Sequence, residues 1–491
     1  MNNAKNAIVV GSGIAGIASA LRLTAKGYKV QVFEANSYLG GKLTHLTLGN
    51  YRFDAGPSLF TMPHFVEELF LLFDKNPSDY FQYHTCKTAC HYFFDDGTFL
   101  PFFVNLDRTV ESVENVLKIN GKPLKKHFEK SKFIYDNTHK IFLENSLHKA
   151  KTYLKKEIIS SILALPSLSI FKTMNEANEK ALNHPKLVQI FNRYATYNGS
   201  NPYQAPGILN IIPHLEHGIG SFFPTKGMHS ITTSLVKLAE EVGVQFQTNA
   251  RVEEIVLENK KVVGIKSNGK IYKSDVVFCN SDIKPAYKNL LSSSKKPKKT
   301  LAQEPSSSAM IFYWGVKKQF PQLDLHNIFF SNDYKQEFDA IFSKSTVCDD
   351  PTVYIHVSSK IVKEDAPLNG ENWFVMVNVP YNSGQDWEEL RMQIRKNILS
   401  KLTKQLGENI EELIEEEDYL DPIRIEKRTS SFGGALYGAS SNDRMAAFFR
   451  HPNFSKIDGL FFVGGSVHPG GGIPLCLLSA KIATGMVNYN R

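Results

Sequence analysis

With 491 residues, 42% hydrophobic residues and a formal charge of +8, the chain can bury a large core in two or three lobes, and its ordinary apolar content excludes a disordered polymer. Lys295, Lys296, Lys298 and Lys299 form one basic cluster and Glu408 to Asp418 an acidic one. Neither is a basic face with interleaved aromatics, so no nucleic-acid partner is expected. Five scattered cysteines, of which Cys86 and Cys90 come closest to a pair, complete no zinc pattern; no metal is expected, and reduced thiols suit a cytoplasmic protein.

Ala7 to Val10 predicts a short buried strand. GSGIAG follows with Gly11, Gly13 and Gly16, then a helix carrying Ile14, Ile17, Ala18 and Leu21 on one face. These glycines interrupt the N-terminal run before a signal-peptide core could form, so no leader is expected. A second strand, KVQVFE, ends at Glu34. Strand, glycine turn, helix, strand and acid form the dinucleotide fingerprint in its required context. Gly11 permits the tight turn, and Gly16 lets helix and strand pack closely. Gly13, Ile14 and Ala15 bring a pyrophosphate to the positive helix end. Glu34, followed by Ala35, can accept hydrogen bonds from ribose hydroxyls, which disfavours a 2′-phosphate.

LGGKL (39–43) and YRFDAGPSLF (51–60) come next. A nicotinamide site does not ask for this second glycine turn; a flavin dinucleotide does. On these motifs the chain resembles the flavoprotein family of amine oxidases and carotenoid desaturases. The resemblance implies FAD, with Gly40, Gly41 and Lys42 along the diphosphate and ribityl region and Gly56, Pro57 and Ser58 also on the cofactor. A solvated surface charge is the other reading of Lys42.

LPFFV (100–104), FYW (312–314) and Phe329–Phe330 are candidates for an apolar tunnel, with ordinary core as the alternative. Residues 105–200 are expected to be mostly helical. Within KAKTYLKKEIISSILALPSLSIF (149–171), Ala150, Tyr153, Leu154, Ile158, Ile162 and Leu165 share a helical face, behind Lys149, Lys151, Lys155 and Lys156. Pro166 ends or kinks that helix. This is the pattern of an interfacial helix, and it makes a membrane surface an expected partner. A core-facing amphipathic helix is the alternative. No apolar run reaches the ~18 residues of a transmembrane helix.

Residues 222–282 predict a loop, a helix with Ile231, Leu235 and Leu238 inward, and short strands around Val244, Val252 to Leu257, Val262 to Lys266 and Val276 to Cys279. Asn268-Gly269 is a hairpin signal. By the resemblance, the chain returns here to the nucleotide domain, with backbone near Val252 meeting the adenine; Arg251 reads as solvated. GIGSFF (218–223) is too short for a second fingerprint, so no NADPH domain is expected. Electrons would pass to a small acceptor, oxygen or a quinone. Residues 300–400 are more strand-rich, as in VYIHV (353–357) and WFVMVNV (373–379).

GGALYG (433–438) resembles the branch that desaturates 1-hydroxylated carotenoids at the 3,4 bond. Finally, Leu460 to Val463 predicts a strand, GGSVHPGGGIP a glycine loop, and the following run a helix with Pro474 in its first turn. The resemblance lays Gly464, Gly465, Gly472, Ile473 and Pro474 along the ribityl chain and flavin ring. The H-P-G-x-G-I-P pattern resembles the bacterial-type carotenoid (phytoene) desaturases. His468 reads as a catalytic base, a flavin contact or a loop-packing residue.

The expected fold is α/β: a Rossmann-type FAD-binding domain of the amine-oxidase-like (GR2) flavoprotein fold, an interleaved α+β substrate domain and a helical membrane-facing region. The FAD domain draws on 1–70, 215–290 and 440–491, and the substrate domain on 71–214 and 291–439. The expected activity is FAD-dependent carotenoid desaturation in a cytoplasmic, peripherally membrane-associated protein. Hydride loss beside a polyene delocalises positive charge and acidifies the neighbouring C–H, so a weak base suffices; the protein mainly positions the chain and excludes water. A phytoene- or lycopene-type desaturase, a carotenoid isomerase or saturase, and a non-catalytic flavin-bearing carotenoid-binding protein remain as alternatives.

Overall fold

The computed structural model describes residues 5–149, 168–443 and 446–487. Residues 150–167, the body of the expected interfacial helix, lie outside them.

A five-stranded parallel sheet is ordered Leu460–Phe462, Val276–Cys279, Asn6–Val10, Lys29–Phe33, Gln245–Gln247. Its inner strands Val276–Cys279 and Asn6–Val10 are almost continuous apolar runs that bury both faces, while the edge strand Gln245–Gln247 stays partly exposed. Alternation divides them. Ala7, Val9, Val32 and Phe278 pack with helices Ile14–Ala25, His229–Glu241 and Ile473–Gly485. Ile8, Val10, Phe33 and Val277 pack on the other face beneath a three-stranded antiparallel sheet, residues 252–273. In that sheet the Asn268-Gly269 turn has φ of +48° and +72°, the double positive φ of a type I′ hairpin.

The second sheet has seven strands, ordered Ile414–Leu420, Ser308–Val316, Glu371–Val379, Val353–His356, His326–Phe329, Thr88–Phe93, Phe99–Phe103. Only the pairing of His326–Phe329 with Thr88–Phe93 is parallel. One face carries Phe312, Trp314, Val375 and Val377 against helix Trp387–Leu406, which turns Ile394, Ile398 and Leu402 inward. The opposite face carries Ile311, Tyr354, Phe374 and Met376. Helices Leu106–Leu117, Lys122–Phe142, Met174–Ala181 and Pro185–Asn192 add the helical layer.

Of the aromatics proposed for a tunnel, all but the partly buried Phe103 are core. Phe102, Phe312, Trp314 and Phe329 are each 0% exposed, and Phe329 stacks on Phe93 at 4.4 Å between centroids. A strand has period two, so the residues beside them, Ile311 and Ile328, face the cavity instead.

Candidate cofactor and substrate cavity

A cavity of about 870 Å³ is lined from both sheets. All the sequence-derived cofactor candidates reach its wall except Gly16, which sits behind it. A Cβ on Gly16 would lie 2.1 Å from the Gly11 carbonyl oxygen, so this glycine closes helix onto strand. Gly13 bridges to Gly40, and a Cβ on Gly41 would come within 3.2 Å of Gly13 Cα. The two glycine turns therefore form one backbone-lined floor. Helix Ile14–Ala25 opens there with no side-chain cap from its N-cap Gly13 and no acid in its first turn, so its positive end faces the cavity.

Asn280, which the sequence reading missed, supports this floor. With its Oδ1 turned to the glycine loop, it accepts from Gly13 N and Gly16 N, both at 3.2 Å. It ends a buried strand, and no motif marks it.

Glu34 is 5% exposed and already well supplied with donors. Its Oε2 accepts from Ser12 N (2.9 Å) and Oγ (2.7 Å). Its Oε1 accepts from Asn36 N (2.9 Å) and Nδ2 (3.0 Å). A carboxylate offers about four such sites, so a ribose hydroxyl would have to displace one of these side chains. Ala250 N donates to the Glu34 carbonyl at 2.8 Å, which brings Arg251 and Val252 to the same end of the cavity.

Lys42 is not a solvated charge. It lines the cavity, and its ammonium donates to the carbonyls of Leu436 (2.8 Å) and Ala435 (3.4 Å). Burial pulls its pKa below the usual lysine value, with Asp282 opposing. The same burial pushes Asp282 up. Lys42 is thus tied to the GGALYG stretch rather than left free for a diphosphate. Gly56 has to be glycine, because a Cβ there would meet the Lys42 carbonyl at 1.7 Å. That contact presses the Gly56–Ser58 loop against the second glycine turn.

The C-terminal loop closes the far end. Helix Ile473–Gly485 also starts without a side-chain cap or an acid in its first turn, and Pro474 stands in that turn. A Cβ on Gly472, at φ +101°, would meet no atom within 4 Å, so the backbone there is open to the cavity. Arg450 straps this loop down. It is 2% exposed and donates to the carbonyls of Tyr437, Gly465 and Ala439 and to Asn198 Oδ1, at 2.7–3.1 Å. Burial lowers its pKa to about 10.

His468 is 1% exposed. Its Nε2 lies 2.8 Å from the Asn145 carbonyl; a carbonyl only accepts, so Nε2 carries the hydrogen. Burial pulls the pKa to about 4, so the ring is neutral at pH 7. It lines the cavity while tying the glycine loop to the residues that precede the undescribed segment.

FAD fits this wall. Two helix ends that face the cavity and the glycine backbone at Gly13, Gly40, Gly41 and Gly472 suit electron-rich oxygens and a flat ring lying on backbone. The opposite wall is apolar, with Ile311, Ile328, Phe374, Met376 and Leu420 on the sheet and Leu209, Ile212 and Leu215 on the helical side. It suits a long hydrocarbon. Among the described residues no group of three or more His, Cys, Asp or Glu could hold a metal ion, and no helix is long and apolar enough to cross a membrane.

A family described as flavin containing amine oxidoreductase matches residues 14–487. The chain is 53% identical to a 1-hydroxycarotenoid 3,4-desaturase of Flavobacterium sp. (strain P99-3), covering 98% of this chain and 99% of that protein. It is 30% identical to a 4,4'-diapolycopene oxygenase of Methylomonas sp, over 98% and 97% of the two chains. It is 32% identical to a 4,4'-diaponeurosporene oxygenase of Staphylococcus aureus (strain MSSA476), over 99% and 98%. Among solved structures, a putrescine oxidase mutant superposes with a TM-score of 0.64 at 12% identity, over 98% of each chain. An oxidoreductase from Methanosarcina mazei gives 0.61 at 14%, over 97% and 99%. At such identities these two share the fold alone.

Proposed function

The chain belongs to the flavin containing amine oxidoreductase family, and on that premise we propose that it is an FAD-dependent carotenoid desaturase whose reaction is 3,4-desaturation of a 1-hydroxylated carotenoid. The observation that carries this reading is a cavity in which a backbone-lined glycine wall faces an apolar sheet face. The 53% identical relative named for that reaction favours the particular bond. FAD supplies the two-electron acceptor. The chain's own work is positional: Ile311, Phe374 and Met376 hold a polyene against the cofactor wall, and these apolar side chains keep water from the charge that develops. His468 Nε2–H is committed to Asn145, so that nitrogen is not offered as a base. The C–H next to a polyene cation is acidic enough for a weak one.

The reading extends to a peripheral membrane position, since the substrate lives in lipid. Phe171, at the described end of the 149–171 segment, is 74% exposed, while Leu168 beside it is buried. Oxygen or a quinone then takes the electrons.

The test is anaerobic mixing of FAD-loaded enzyme with 1-hydroxylated, acyclic non-hydroxylated and monocyclic carotenoids, followed by product analysis. Flavin bleaching with a 3,4-desaturated product from the hydroxylated carotenoid is expected. No bleaching with any carotenoid would leave a carotenoid-sheltering flavoprotein. A reaction confined to phytoene or lycopene, isomerisation or saturation of the polyene, or an oxygenated product like that named for the 30–32% identical relatives, would replace the reading.

A further inference from the structure

On the cavity wall a hydrogen-bonded chain of three side chains joins the two sides of the site. Ser58 Oγ lies 2.8 Å from Tyr354 Oη. Tyr354 Oη lies 2.8 Å from His326 Nδ1. All three residues line the cavity. Ser58 belongs to the loop that Gly56 presses onto Lys42, on the cofactor side. His326 and Tyr354 come from adjacent antiparallel strands, where His326 pairs with His356 and Ile328 with Tyr354. Their side chains therefore share the sheet face that looks into the cavity.

The hydrogen count does not close. His326 is 4% exposed, and burial drops its pKa to about 3, so the ring carries one hydrogen. Histidine, tyrosine and serine together bring three hydrogens to two bonds. His326 Nε2 is buried and has no partner among the described residues. If Nε2 carried the hydrogen, an N–H would be stranded in the dry interior. The other polarity runs from Nδ1–H to Tyr354 and from Tyr354 O–H to Ser58. It strands only a lone pair and leaves the third hydrogen on Ser58 Oγ, which lines the cavity. The chain is one partner short at that point.

The missing partner is an uncharged polar group. The neighbouring wall residues Ile311, Phe374 and Met376 are apolar and offer no counter-ion. A second polar cluster on the wall, Arg193 with Glu216, is different in kind: cation and carboxylate lie 3.7 Å apart, and Tyr197 bridges them.

We propose that Ser58, Tyr354 and His326 form the hydroxyl-recognition site of this enzyme, taking the tertiary hydroxyl of a 1-hydroxylated carotenoid end group and so selecting both the substrate and the bond. This rests on the reaction proposed above. C1 and C3 are two carbon–carbon bonds apart, so a hydroxyl held at Ser58 brings the 3,4 bond beside the glycine-lined cofactor wall. A substrate without the hydroxyl leaves the chain unsatisfied and is free to slide along the apolar face.

The experiment uses FAD-loaded parent, Tyr354→Phe and Ser58→Ala. It measures kcat/KM and the equilibrium Kd for a 1-hydroxylated carotenoid and for the matching carotenoid without the hydroxyl, with FAD content checked in each preparation. The preference for the hydroxylated carotenoid should fall by about 10–100-fold in both variants, in kcat/KM and in Kd alike. Equal losses on both carotenoids, or an unchanged preference, would overturn the inference. If Ser58→Ala loses FAD, Tyr354→Phe decides. A parent that shows no preference for the hydroxylated carotenoid would overturn the proposed reaction itself, which separates the two failures.

Discussion

At the residue scale, Glu34 shows how one carboxylate organises the nucleotide end. It collects Ser12 from the first glycine turn and Asn36 from the loop after the second strand, with two bonds at each oxygen. Replacing it by glutamine keeps the shape but turns an NH₂ group towards donors on one side. At a buried position, a donor facing donors costs about 1–3 kcal/mol. Glu34→Gln should therefore both lower the urea midpoint and weaken FAD retention on dilution. Unchanged FAD retention, with stability lowered, would mean that the carboxylate serves the apoprotein fold and not the cofactor.

At the element scale, strand Ser308–Val316 separates core from cavity by alternation alone. Phe312 and Trp314 face helix Trp387–Leu406, and Ile311 faces the cavity. Phe312→Ala should cost about 3–5 kcal/mol in urea unfolding, with little change in carotenoid affinity for the folded fraction. Ile311→Trp should do the reverse, keeping the fold while obstructing the cavity and weakening carotenoid binding at least ~10-fold, since about 1.4 kcal/mol suffices for that factor. Carotenoid affinity falling in the first variant and not in the second would reverse the assignment of faces. This strand also shows where sequence stops being informative. SAMIFYWGV is apolar on both sides, so no alternation marks which residues meet the substrate. The glycine turns were legible for the opposite reason: only glycine tolerates the contacts found at Gly16 and Gly56. Arg450 left no local trace, because the carbonyls it binds come from residues 437, 439 and 465 and its amide partner from Asn198. The Ser58–Tyr354–His326 chain was hidden likewise, spread over three segments that meet only in the folded protein.

At the scale of the whole molecule, the way these buried segments are assembled sets the response to pH. His127, His451 and His468 are held neutral by burial with pKa values near 4. His326 and His356 are held near 3. In the unfolded chain each would titrate near its ordinary value of about 6.5. Below that value the unfolded state binds protons that the folded state refuses, so stability falls as pH drops and is fully present only above it. The window opens at about 6.5 and closes for each residue at its folded value, with a slope of at most about 1.4 kcal/mol per pH unit per histidine. Asp282, Glu337 and Asp365 are shifted upward by burial and act in the opposite sense, favouring the folded state as pH falls through their raised values towards those of the unfolded chain. Among the described residues six buried histidines, His217 included, oppose these three carboxyls. The melting temperature should therefore fall steadily between pH 7 and pH 5. His127 offers the clean control. It packs edge-on against Phe191 at 4.5 Å, its Nε2 has no partner among the described residues, and it does not line the cavity. His127→Phe should reduce the slope of melting temperature against pH while leaving FAD content unchanged. A parent protein whose melting temperature is flat or rises between pH 7 and pH 5 would show that the buried carboxyls, and not the histidines, govern its acid response.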